Sequence, residues 1–85
     1  MNKMFLTRHA AKRIHRRTGI SPQKVFREIK KQIRENKILD LHIGPDKSKI
    51  IYLKYRDLTY RLIVRDNTLI TFDHGIWGSK LRNLK

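Results

Sequence analysis

The sequence predicts an α+β fold: an N-terminal helical hairpin packed on a three- to four-stranded antiparallel β-meander. Three observations predict it. Val25, Phe26, Ile29 and Ile33 recur at helical spacing and make one apolar stripe. Beyond Asn36 the pattern changes to alternation, in segments rich in β-branched and aromatic residues. Between these segments stand turn signals, Thr18-Gly19, Gly44-Pro45-Asp46 and Asp66-Asn67.

The first helix spans residues 7–17 (TRHAAKRIHRR), with the Thr7 hydroxyl placed to cap its free N–H groups. At about 100° per residue, Ala10, Ala11 and Ile14 share one side with Leu6 at its edge. His9, Arg13 and Arg16 fall together on another side, at i, i+4 and i+7. Residues 1–6 are either a short edge strand or a lead-in to this helix. Gly19 suits a left-handed cap position that ends it. Ser21-Pro22 opens the second helix with a hydroxyl cap and a proline at the first helical position. That helix runs to about Asn36, and Lys24, Arg27, Lys30, Lys31 and Arg34 cover much of its remaining surface.

Residues 38–43 read as a first strand and KIIYLKY, Lys49–Tyr55, as a second, tightly connected through Arg56-Asp57 to a third, LTYRLIVR. In that third strand Leu58, Tyr60, Leu62 and Val64 share one face, and Thr59, Arg61, Ile63 and Arg65 the other. Asp66 and Asn67 tolerate the positive φ of a two-residue hairpin loop, and residues 68–73 (TLITFD) close the meander. The chain thus divides into a helical hairpin at 6–36, a meander at 38–73 and a basic tail at 74–85, with Trp77 the candidate anchor of the tail, all in one domain.

Charge is the strongest global signal. Lys and Arg number 21 against 7 Asp and Glu, a net of +14, and residues 1–37 hold 12 of those cations with only Glu28 and Glu35 opposing them. Self-repulsion on this scale opposes folding, so a chain that tolerates it is expected to meet a polyanion. Nucleic acid is the favoured partner, RNA above DNA, ahead of an acidic protein or an anionic membrane face. There is no cysteine, hence no disulfide and no thiolate metal site. No signal-peptide core or membrane-length apolar run is present, which makes the cytoplasm the expected location.

The sequence contains no Gly-rich phosphate loop, no HExxH and no nucleophile elbow, and its four histidines are scattered. No metal site and no cofactor is expected. His, Arg, Lys, Tyr and Thr suffice, however, for metal-independent RNA cleavage by the neighbouring 2′-hydroxyl. The protein must take that proton, supply one to the leaving oxygen and neutralise charge on the phosphorus. Histidine titrates in the right range and arginine gives fixed, forked donors to phosphate oxygens.

His9 is the candidate acid–base residue, with Arg13 and Arg16 one and two turns along; the alternative is an imidazole that serves a polar neighbour or solvent. Arg61, near the sheet centre, is the candidate phosphate clamp, against the alternative of an ordinary solvent-face arginine. Tyr52, Lys54 and Thr71 are candidates to join that surface. Lys12, Arg16, Arg17, Arg27, Lys30, Arg34, Lys54 and Arg65 are candidate nucleic-acid contacts, with a solvated cationic face as the alternative. Tyr60 is read as core rather than as a base-stacking ring, and no role is assigned to His42 or His74.

The order His9-Ala10, Arg13, Arg17, Gly19-Ile20-Ser21 and then Ile70-Thr71-Phe72 resembles the small RelE/ParE/BrnT-like toxin superfamily, above all its stand-alone domains with a helix that begins His-Ala. The resemblance spans about residues 5–73. It implies a helical hairpin on an antiparallel sheet, with ribonuclease activity on mRNA or tRNA or a relative that has lost catalysis. It carries over His9, Arg13, Arg61 and Thr71 as catalytic residues, and it implies an acidic antitoxin partner and a prophage or plasmid setting. The chain departs from RelE proper in its reduced N-terminal strand and in lacking that branch's C-terminal catalytic cluster. Two further readings stand beside the ribonuclease: a non-catalytic nucleic-acid-binding module or phage regulator, and an inhibitor that binds an acidic host protein.

Overall fold

The computed structural model describes residues 3–75. In chain order these form β1 (Phe5–Leu6), α1 (Arg8–Thr18), α2 (Pro22–Arg34), β2 (Asp40–Ile43), β3 (Lys49–Tyr55), β4 (Leu58–Arg65) and β5 (Thr68–His74). The fold is α+β, as the change of period predicts. Of the predicted tail, only His74 and Gly75 are among the described residues; Trp77 lies outside them.

Local chemistry explains each boundary. The Thr7 hydroxyl accepts the Ala10 N–H at 3.0 Å and caps α1. Gly19 ends that helix in the left-handed region, φ 72°, its N–H bonded to the His15 carbonyl. Ser21 differs from expectation: its hydroxyl turns to Gln23 Oε1 instead of capping α2, so Pro22 at the first helical position is what marks the start. Asn36 leaves the second helix with φ 59°. Both two-residue loops, Arg56-Asp57 and Asp66-Asn67, take positive φ at both positions, the backbone that matches the twist of a hairpin.

The sheet departs from the predicted three or four antiparallel strands. It has five, in the order β1-β5-β4-β3-β2, and is mixed, because Phe5 and Leu6 pair in parallel with Thr68 and Leu69. Two residues carry too little pattern to announce a strand, and their parallel partner lies over sixty residues away. The first predicted strand also begins two residues late, at Asp40. A bulge at Ile63/Val64 leaves Ile70 as the extra residue of β5.

Both helices cover one face of this sheet. Ala10 and Ile14 of α1 and Val25 and Ile29 of α2 pack with Ile51, Leu53, Tyr55, Tyr60, Leu62, Val64, Leu69 and Phe72. Phe26 and Ile33 flank this core, half-buried. Tyr60 is a core residue, stacked on Phe72 at 4.5 Å between ring centres, with His74 on its other side at 5.2 Å. Alternation then sends Tyr52, Arg61, Thr71 and Asp73 to the opposite face, which no helix covers. Among the described residues no helix is long and apolar enough to cross a membrane.

Candidate nucleic-acid interface

The geometry of α1 relative to β5 builds the site. Thr7 donates its N–H to the Leu69 carbonyl at 3.3 Å, which starts α1 beside the beginning of β5. At the other end of the helix Arg17 donates from Nη2 to Asp73 Oδ1 at 2.8 Å. The helix therefore runs alongside β5, and its His9–Arg13–Arg17 row, spaced i, i+4, i+8, borders the strand's outer edge.

Contacts knit that row together. Arg13 Nε–H donates to His9 Nε2 at 3.3 Å, so Nε2 is the acceptor nitrogen of an exposed imidazole. Arg13 Nη1 lies 3.4 Å from the same Asp73 oxygen that Arg17 holds. Asp73 in turn stands directly across the β4–β5 ladder from Arg61, where side chains on one face are neighbours. Arg61 itself stands across from Tyr52, and Tyr52 across from Asp40, so Asp40, Tyr52, Arg61 and Asp73 form one row over four strands. Thr71 lies two residues before Asp73, opposite Ile63.

Of the predicted residues, His9 and Arg13 are joined on α1, Arg13 reaches Asp73 of β5, and Arg61 and Thr71 share the open face with Asp73, Arg61 on the central strand. Asp73 is the member that sequence reasoning missed. The signal was present in TLITFD: Asp73 shares the parity of Thr71 and alternates with the apolar Phe72, which marks it for the open face.

Gly75 is needed here for close approach. A Cβ at this position would come within 3.1 Å of the Arg61 nitrogen and 3.2 Å of Tyr52 Cδ2. Its own N–H continues the ladder to the Thr59 carbonyl at 2.8 Å.

The other expected contacts either lie elsewhere or are already engaged. Arg16 does not join His9 and Arg13; it lines a hollow on the other flank of α1 together with Lys12. Arg17 is held by Asp73 and its Nε is buried without a hydrogen-bond partner. Arg65 donates to Asp46 Oδ2 at 2.8 Å, tying the end of β4 to the β2–β3 loop. Hydrogen bonds from the Ser48 hydroxyl and N–H hold the Asp46 carboxyl below the usual carboxylate range.

On α2, Arg27 and Arg34 are exposed and Lys30 sits over the Phe26 ring at 4.8 Å, away from Asp73. Lys54 is exposed near the far end of β3, its carbonyl taken by Gln32. Among the described residues no group of three or more His, Cys, Asp or Glu is placed to hold a metal ion.

With the fold and this edge defined, comparison with protein-family models, curated proteins and solved structures finds no match.

Proposed function

We propose that this chain is a small RNA-targeting protein that cleaves RNA without a metal ion, a ribonuclease or toxin of the RelE/ParE/BrnT-like kind. The observation that carries the reading is the exposed His9 imidazole, hydrogen-bonded to Arg13 at the edge of a sheet face that bears Arg61. An imidazole flanked by guanidiniums is the equipment that 2′-hydroxyl attack requires.

In this reading Arg13 Nε–H leaves His9 Nε2 when the phosphate binds, and Nε2, its lone pair freed, takes the 2′-hydroxyl proton as the 2′-oxygen bonds to phosphorus. The bond to the 5′-oxygen breaks, that oxygen takes a proton from water, and a 2′,3′-cyclic phosphate is left. Arg61 and the free Nη2 of Arg13 donate to the non-bridging oxygens, while Asp73 positions Arg13. Thr71 offers a further hydroxyl on the same face. The natural counterpart outside catalysis is an acidic antitoxin or host protein laid over the same cations.

The test is incubation of total RNA with the protein in the presence of a chelator. Cleavage is expected, with 2′,3′-cyclic ends, and His9→Ala or Arg13→Ala abolishes it. Intact RNA after long incubation at high protein concentration removes the reading.

One observation favours a second reading, a non-catalytic nucleic-acid-binding module. Asp73 already neutralises part of the charge of Arg13 and Arg17. Such a module binds RNA with a steep loss of affinity as salt rises and yields no products.

A further inference from the structure

A second cationic surface lies on α1, apart from the His9–Arg13–Asp73 edge. Arg8, Lys12, His15 and Arg16 line a shallow hollow of about 490 Å³ together with Ala11, and Pro22 of α2 forms its far wall. Arg8 and His15 were not among the residues that the sequence singled out.

Two features set this surface apart. The first is pairing: among the described residues the ion pairs made by the cations of α1 are those of Arg13 and Arg17 with Asp73, and none of the four hollow residues has one. The second is cost. Arg8 stands in the first turn of α1, where no acidic residue accompanies it and the helix dipole disfavours a positive charge. Unpaired cations gathered around one concavity, one of them placed against the dipole, lower the stability of the free protein and gain from a bound anion.

We propose that this hollow is a separate seat for the phosphodiester backbone of a single RNA strand, beside the reactive edge on the same helix. The assignment rests on the RNA reading above and deepens it. Arg8, Lys12 and Arg16 follow one another at one helical turn, about 6 Å of rise each, so successive phosphates of an extended strand can each meet a cation. Four of its six lining residues carry nitrogen donors for phosphate oxygens.

The test is the salt dependence of binding to an unstructured oligoribonucleotide, read in a His9→Ala background so that cleavage does not enter. Exposed Lys12 and Arg16 are replaced together by alanine, and exposed Lys47 and Lys49, which line a different hollow with Val64, Asp66 and Asn67, serve as the control pair that removes the same charge. Each lost single-strand phosphate contact lowers the slope of log K against log salt by about 0.7. The expected result is a slope reduced by about 1.4 for the Lys12/Arg16 pair and unchanged for the control. An equal reduction in both pairs, or none in the first, overturns the proposal. Failure of the wild type to cut RNA leaves this result standing and sinks only the reaction.

Discussion

Asp73 holds more of the candidate site than its size suggests. One carboxylate meets two arginines of α1 and stands across the ladder from a third. Both pairs are partly shielded, with Asp73 20% and Arg17 29% exposed, so they are worth more than surface ion pairs and less than buried ones. Asp73→Asn is expected to lower unfolding stability by roughly 1–2 kcal/mol, read as a reduced urea midpoint. The same change releases Arg13 and Arg17, so RNA affinity rises with a steeper salt dependence. Unchanged stability together with weaker RNA binding would contradict this role.

A second residue-scale prediction concerns alkaline pH. Burial first, and the Glu28 carboxylate that accepts its hydroxyl, raise the pKa of Tyr55 above the ordinary tyrosine value, and burial does the same for Tyr60. Below about pH 10 the phenols are protonated in folded and unfolded chains alike, and their contribution to stability is complete. As pH rises through the raised folded-state values the unfolded chain ionises first, and stability falls. Urea midpoints measured from neutral pH upward are expected to drop above about pH 10, less so in Tyr55→Phe. A midpoint that is flat across this range contradicts the assignment.

At the scale of elements, what the sequence made legible followed the strength of local pattern. Lys49–Tyr55 and Leu58–Arg65 are the predicted strands to the residue, because alternation and a tight turn at each end confine them. Phe5–Leu6 was undecided because pairing, not pattern, makes it a strand. The His9–Arg13 pair was legible from i, i+4 spacing on one helix. Asp73 was not, since it joins that pair only once α1 is laid along β5, a tertiary fact. Arg16 was misplaced for a related reason: seven residues on, small differences in helix rotation decide which flank a long side chain takes.

Gly19 tests the element scale. Open space surrounds the position where a Cβ would sit, so an alanine there meets only the backbone cost of φ 72°. Gly19→Ala is expected to cost about 1 kcal/mol and to lower Tm by about 4–8 °C. An unchanged Tm would mean that the junction between α1 and α2 does not depend on the left-handed cap.

Over the whole molecule, the two faces of the sheet divide the work. One is sealed by the helices into the core, and the other carries Tyr52, Arg61, Thr71 and Asp73, the last paired with Arg13 and Arg17 of α1. A net charge of +14 concentrated in the helical half is the ground on which a polyanion is proposed as the partner. The uneven charge was plain in the sequence; that the cations of α1 split into a paired flank and an unpaired one was not, because neighbouring strands decide it.

In the proposed reaction RNA brings its own nucleophile, the 2′-hydroxyl, and His9 takes its proton. The most direct measurement sets an end-labelled RNA beside its all-deoxy counterpart of the same sequence, in chelator, with wild type and His9→Ala. The wild type is expected to cut the RNA and to bind the DNA without cutting it, and His9→Ala to cut neither. Cleavage of the DNA strand, or cleavage of RNA undiminished in His9→Ala, would contradict it.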